Sequence, residues 1–160
     1  MEMTQRPTEN ALASTVAALA RCNEKTGRFG LRLQPEEMTQ LARQRFEVLE
    51  QTGRVEFGDG VLEQLIEIFQ DSPYLHQGAY AETIGALQAL FYYFKNESQD
   101  RLTDEILLRE MKRIFDGPAG GSLEYLSGAG LEDLCRWVRT PEMPVRSRER
   151  EEGEEAENAE

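Results

Sequence analysis

Residues 78–98 carry the clearest pattern of hydrophobic and polar positions in this chain. Large apolar side chains recur there at three- and four-residue spacing and share one face of a helix, which turns once every 3.6 residues. These side chains are Tyr80, Ile84, Leu87, Phe91 and Phe94. The opposite face holds Ala81, Gly85 and Ala89, small residues against which another element can pack closely. The pattern predicts a buried central helix over residues 79–97.

The same periodicity predicts further helices over residues 10–25, 35–52, 61–69, 103–115 and 131–138. The helix over residues 35–52 has a well-marked start, because Pro35 suits the first helical position and Glu36 and Glu37 favour the positive helix end. Gly27 and Gly53 mark helix ends, since glycine readily adopts the left-handed C-cap conformation. The predicted fold class is therefore mainly α, a compact multi-helix bundle around a buried central helix.

Two short segments break the helical pattern and are predicted to be strands. Residues 28–33 alternate apolar positions with arginine or glycine, and residues 54–57 repeat the alternation through Val55 and Phe57. An alternation of period two is typical of a half-buried strand. The sequence thus allows a minor two-stranded β ladder, in which these two segments pair with each other.

Composition divides the 160 residues into three parts. Residues 1–8 are polar and predicted to fray, whereas residues 9–139 hold the periodic segments and are predicted to form a single helical domain. Residues 140–160 are rich in Pro, Arg and Glu, which predicts a disordered acidic tail. Residues 149–160 contain seven Glu and one Arg, a contribution of −6 to the net charge of −12.

Charge balance and cysteine content argue against several function classes. Nucleic-acid binding needs concentrated Lys and Arg, and the predicted domain is mildly acidic, so no nucleic-acid partner is expected. No segment is apolar over the length that spans a bilayer, so no membrane partner is expected. Cys22 and Cys135 stand far apart, without the spacing of a disulfide framework or a zinc site. The predicted location is the cytoplasm.

Side chains for catalysis or metal binding are sparse. His76 is the only histidine, which removes His-rich metal sites and two-histidine acid–base pairs from consideration. Glu63, Glu67 and Glu82 lie on predicted helices, but the Glu-x-x-His motif of a di-metal carboxylate bundle does not accompany them. No cofactor, metal site or catalytic residue is predicted, and the sequence favours a non-enzyme without deciding the question.

Aromatic residues provide the remaining functional lead. Tyr92 and Tyr93 flank the main stripe of the central helix, where they belong either to the core or to an interaction surface rich in rigid amphipathic rings. The leading hypothesis is a non-enzymatic protein–protein interaction module that binds another protein or itself through Tyr74, Tyr92 and Tyr93. The alternative is an enzyme or small-ligand-binding protein with a site assembled from scattered acidic and tyrosine residues. A deep pocket with convergent polar side chains would favour that alternative.

Several short motifs between Asn23 and Trp137 are shared with a known protein family. They are Asn23-Glu24-Lys25-Thr26, Phe29-Gly30-Leu31, Thr52-Gly53-Arg54-Val55-Glu56-Phe57-Gly58, Asp71-Ser72-Pro73-Tyr74, Tyr80-Ala81-Glu82-Thr83, Phe91-Tyr92-Tyr93-Phe94-Lys95-Asn96-Glu97 and Phe115-Asp116-Gly117. Through them the chain resembles an uncharacterised family of short cytosolic proteins from Firmicutes, one of the domains of unknown function. The resemblance implies a bacterial cytosolic origin. It supplies no activity and no functional residues.

Removal of the acidic tail is expected to leave folding stability unchanged. Residues 141–160 have Met143 and Val145 as their only sizeable apolar side chains. Such a segment buries too little surface to offset the roughly 1–2 kcal/mol per residue that backbone ordering costs. Thermal melts of the full chain and of a 1–140 truncation at matched salt test this expectation. A loss of several degrees on truncation would show that the tail docks on the body.

Overall fold

The structure, a computed structural model, describes residues 9–56 and 60–139 and confirms the mainly α fold class. Its helices are α1 (Glu9–Thr26), α2 (Pro35–Thr52), α3 (Leu62–Phe69), α4 (Tyr80–Glu97), α5 (Asp104–Asp116), the single turn α6 (Leu123–Tyr125) and α7 (Leu131–Arg139). Short 3-10 turns at Gly27–Phe29 and Gln77–Ala79 follow α1 and precede α4, and a π turn at Leu126–Gly130 joins α6 to α7. The predicted frayed N-terminus and acidic tail lie outside the described residues.

The helices pack around a shared hydrophobic core. α2 contacts α1 and α4, α3 contacts α1, α4 and α5, and α4 also contacts α5 and α7. The largest fully buried side chains are Phe69, Tyr80, Phe91, Tyr92, Phe94 and Phe115. No helix in the described part of the chain combines the length with the apolar character that a membrane span requires.

α4 uses its two faces differently. The face with the small residues packs against α2. The two helices are so close there that a Cβ on Gly85 would lie 2.6 Å from Oε1 of Gln44. The Gln44 Nε2 group also donates a hydrogen bond of 3.1 Å to the Gly85 carbonyl. However, Glu82 and Tyr93 are exposed on the remaining side of α4. The prediction of a central helix enclosed by the bundle is therefore not supported.

The predicted two-stranded ladder is wrong, because the described residues contain no strand. Leu31 to Leu33 belong to no helix or strand, and side-chain amides bind their backbone groups in place of a partner strand. Asn23 accepts a hydrogen bond from Leu33 N (2.8 Å) and donates one to Leu33 O (3.0 Å). Gln77 accepts from Arg32 N (2.7 Å) and donates to Arg32 O (2.9 Å). The backbone groups of the segment are thus satisfied without a second strand.

The second predicted strand lies at the other end of α4. Gln77, which binds the first segment, precedes the N-terminus of α4. Arg54 of the second segment donates hydrogen bonds to Asn96 (2.6 Å) and Asp100 (2.8 Å), at and just beyond the C-terminus of α4. α4 has 18 residues, which is about 27 Å at 1.5 Å per residue. The two segments are therefore too far apart to pair. Phe57, the last residue of the second prediction, lies outside the described residues.

Asn23→Ala is expected to destabilise the fold by removing both hydrogen bonds to Leu33. Leu33 is buried, so its unpaired amide and carbonyl groups should lower the free energy of unfolding by about 1–3 kcal/mol. Gln40→Ala is the matched control, because Gln40 is exposed on α2 and its loss should change that free energy by less than about 0.5 kcal/mol. Urea unfolding at equilibrium measures both variants. Equal stability of the two would contradict the role given to Asn23.

Candidate functional site

The three tyrosines proposed as binding residues have different surroundings. Tyr92 is only 1% exposed, and its hydroxyl donates a hydrogen bond to Glu56 Oε1. Burial and the neighbouring Glu56 carboxylate both raise the pKa of Tyr92 above its usual range. Tyr92 is therefore a core residue in this structure and presents no surface to a partner.

Tyr74 and Tyr93 are the exposed members of the set, at 39% and 51% exposure. Tyr74 packs edge-on against Phe115, with 6.1 Å between ring centroids. Its ring lies over Gly121, where a Cβ would come within 2.7 Å of it. Tyr93 projects from α4 and packs edge-on against Phe94 at 4.9 Å. Each ring has its own local support, and neither is paired with the other.

A buried polar cluster joins four parts of the chain. Arg45 on α2 is 2% exposed; its Nε lies 3.0 Å from Glu56 Oε1, and its Nη1 donates to Thr15 Oγ1 of α1 at 2.9 Å. Tyr92 of α4 donates to the same Glu56 oxygen. Glycine suits position 60 beside the cluster, because a Cβ there would collide with Glu56 Oε1 and its φ of +72° lies in the left-handed region. The cluster fixes helices α1, α2 and α4 relative to Glu56.

The cysteines are unsuited to nucleophilic chemistry. Both are buried. Burial, with a smaller contribution from Glu63, raises the pKa of Cys22 to about 12. Burial also raises the pKa of Cys135 to about 11. The thiolate is the nucleophile, so both thiols are protonated and unreactive near neutral pH. His76 lies on the surface, outside the core that holds them.

A groove of about 740 Å³ runs between the C-terminal end of α1, the end of α3 and α5. Its lining residues are Lys25, Glu67, Ile68, Gln70, Asp71, Arg109, Lys112, Arg113 and Asp116. We call it the α5 groove. Of the acids singled out in the sequence, only Glu67 lines it. Glu63 lies 3.5 Å from Arg21, and Glu82 lines a separate groove between α2 and α4.

Every carboxylate that lines the α5 groove has a partner in the protein. Lys25 donates to Glu67, and this hydrogen bond raises the pKa of Lys25. Lys112 lies 3.0 Å from both Asp71 and Asp116. Burial alone would lower the pKa of Lys112, but the hydrogen bonds to the two aspartates and their negative charges together outweigh burial and raise it. Each of the three carboxylates thus forms an ion pair with one of the two lysines.

The arginines of the groove pair with glutamates of their own helix. Arg109 donates through Nε to Glu105 at 2.9 Å, and Arg113 donates through Nε and Nη2 to Glu110 at 3.0 and 2.8 Å. Both carboxylates lie on the same helix as the arginines, and the side chains of Arg109 and Arg113 remain 61% and 47% exposed. Spacing of i and i+4 places the two guanidinium groups on one face of α5.

Sequence reasoning missed both the cluster and the groove. Arg45 follows Ala42 by three residues and precedes Leu49 by four, so it falls on the buried stripe of α2. That position was a readable sign of a buried charge. Arg109 and Arg113 carried no comparable sign, because charges at i and i+4 are common on exposed helix faces.

The hydroxyl of Tyr92 and the charge of Arg45 are expected to stabilise the fold. Arg45→Met leaves the half-buried Glu56 carboxylate without its cation and removes hydrogen bonds to a charged group, so it should lower the free energy of unfolding by about 1.5–3 kcal/mol. Tyr92→Phe removes one hydrogen bond to a charged group and should cost about 1.5–3 kcal/mol. Tyr93→Phe is the matched control on the same helix, with an expected effect below about 0.5 kcal/mol. If urea unfolding shows the same loss of stability in Tyr92→Phe and Tyr93→Phe, the cluster does not have the stabilising role given to it here.

Comparison with known proteins provides a family and no activity. A model described as "Family of unknown function (DUF6323)" matches residues 18–143, which include most of the described helices. No curated protein and no solved structure matches the chain. The resemblance seen in the sequence to an uncharacterised family is confirmed, whereas the match does not test an origin in Firmicutes or a cytosolic location. The chain belongs to the DUF6323 family of unknown function.

Proposed function

We propose that this protein is a cytoplasmic, non-enzymatic module that binds a partner protein through the α5 groove. The observation that carries the proposal is the pair of exposed guanidinium groups, Arg109 and Arg113, on one wall of that groove. Arginine is enriched at protein interfaces and among the residues that dominate their binding energy. Of the tyrosines proposed from the sequence, Tyr92 is buried, and Tyr74 and Tyr93 are exposed but do not line the groove.

The openness of the groove favours a protein partner over a small ligand. Small-molecule sites usually bury most of the ligand and are lined mainly by apolar side chains. Here Ile68 is the one apolar residue among the nine that line the groove. The side chain of Lys25 is 51% exposed, so a small ligand beside it would keep much of its surface in water. A polypeptide, by contrast, can cover the arginines and the rim together.

The alternative, an enzyme or small-ligand site built from acids and tyrosines, has less support. Glu67, Asp71 and Asp116 do converge on the groove. However, lysines already bind all three carboxylates, and no tyrosine is among the lining residues. An acid–base pair for catalysis needs carboxylates that are free to exchange protons with a substrate.

Capture of partners by the full-length protein tests the proposal. Three baits are compared in an extract of the native host: the wild type, Arg109→Glu/Arg113→Glu, and Arg28→Glu/Arg43→Glu. The second double variant changes the net charge equally at exposed residues outside the groove. A protein retained by the wild type and by the Arg28/Arg43 control, but lost from the Arg109/Arg113 variant, is the expected result. Identical sets of retained proteins on all three baits would refute binding through the groove.

A further inference from the structure

We infer that the α5 groove binds an extended acidic segment of the partner, in which two carboxylates two residues apart bind Arg109 and Arg113. This inference rests on the function proposed above and adds the chemistry of the partner. It follows from the hydrogen-bonding capacity left in the groove, from the spacing of the two arginines, and from the charges on the facing wall.

The arginines of the groove keep N–H donors that lack a hydrogen-bond partner among the described residues. Lys25 and Lys112 occupy the carboxylates of the facing wall. Ser72 also donates to Asp116, at 2.6 Å. By contrast, neither Nη group of Arg109 has a hydrogen-bond partner in the described part of the chain. The Nη1 group of Arg113 also has none among those residues. Vacant, planar donors of this kind match the two oxygens of a carboxylate.

The spacing of the arginines fits an extended peptide. Side chains at i and i+4 of a helix lie about 5–6 Å apart at Cβ. In an extended chain, side chains at i and i+2 point the same way and lie about 6.6 Å apart, at 3.3 Å per residue. Two acidic residues separated by one residue can therefore bind Arg109 and Arg113 together. The peptide residue between the two acids points to the opposite wall of the groove, which is formed by the end of α3 and is called the α3 wall. Ile68 provides apolar surface there.

The charges of the groove favour carboxylates over a phosphate group. Glu67 and Asp71 lie on the wall that faces the arginines. A phosphate monoester carries nearly two negative charges at one point near neutral pH, so Glu67 and Asp71, although paired with lysines, would repel it more strongly than they repel a single carboxylate. Two single charges separated along a peptide can each lie against an arginine and away from that wall. An acidic–apolar–acidic segment is therefore the expected ligand.

Fluorescence anisotropy with a labelled synthetic peptide tests this chemistry on the full-length protein. The probe contains Glu-Val-Glu-Val-Glu between Gly-Ser flanks, and the control peptide carries Gln in place of Glu. We expect the wild type to bind the probe and to bind the Gln peptide at least about tenfold more weakly. Arg109→Ala/Arg113→Ala should weaken probe binding about tenfold. Arg28→Ala/Arg43→Ala should leave binding unchanged, because these residues lie outside the groove.

Further arms separate a carboxylate site from a general attraction of charge. Arg109→Lys/Arg113→Lys keeps both charges and removes the planar fork, so it should weaken binding by about threefold or more. Wild-type affinity in the Lys variant would overturn the paired-carboxylate geometry. Displacement of the probe by inorganic phosphate, but not by sodium chloride of equal ionic strength, would overturn the peptide in favour of a small-anion site.

Failure of this inference is distinguishable from failure of the proposed function. If the probe does not bind, but partner capture still depends on Arg109 and Arg113, the groove binds a protein of another chemistry and only this inference falls. If neither the probe nor a partner depends on the two arginines, both proposals fall. Binding of a peptide that copies residues 149–160, without binding of the probe, would also overturn the inference, since the ligand would then be the chain's own acidic segment.

Discussion

The buried guanidinium group of Arg45 is the constraint on which the arrangement of the helices depends. A charge removed from water is tolerated only when opposite charge and hydrogen bonds surround it. Thr15, Glu56 and Tyr92 meet that requirement from α1, from the segment after α2, and from α4. Close packing of the apolar core resists displacement of these elements, and the directional hydrogen bonds to one buried charge add a second constraint on how α1, α2 and α4 meet.

Helix periodicity made most of the fold predictable from the sequence. Each predicted helix is present within a few residues, and the left-handed end of α2 is found at Gly53, with φ of 70°. These features depend on local chemistry, which a single sequence carries. The prediction of a two-stranded ladder failed because it depended on contacts between distant parts of the chain. Alternation in residues 28–33 shows which side of the segment is buried, but it does not show that Asn23 and Gln77 provide its hydrogen bonds.

The candidate site was less predictable than the fold, since it depends on which charges find partners. Nothing in the sequence distinguishes Lys112, which is held between two aspartates, from Arg109, which keeps free donors. Both are basic residues on one amphipathic helix. Tyrosines were easier to notice, but an aromatic ring beside an apolar stripe occurs equally in a core and on a surface. Tyr92 lies in the core, and its burial is tolerated because its hydroxyl donates a hydrogen bond to Glu56.

α3 links the stability of the fold to the charges of the groove. It has only eight residues, and an isolated helix below about 12–15 residues is marginal in water. Its position therefore depends on the buried face formed by Leu62, Leu65, Ile66 and Phe69. The ion pairs at its borders, from Lys25 to Glu67 and from Lys112 to Asp71, are partly exposed, and such pairs contribute about 0–1 kcal/mol each. Their main consequence is positional. By binding the acids of the α3 wall to lysines, they leave the arginines of α5 as the groups with vacant donors. The electrostatic character of the groove thus follows from how α3 is held between α1 and α5.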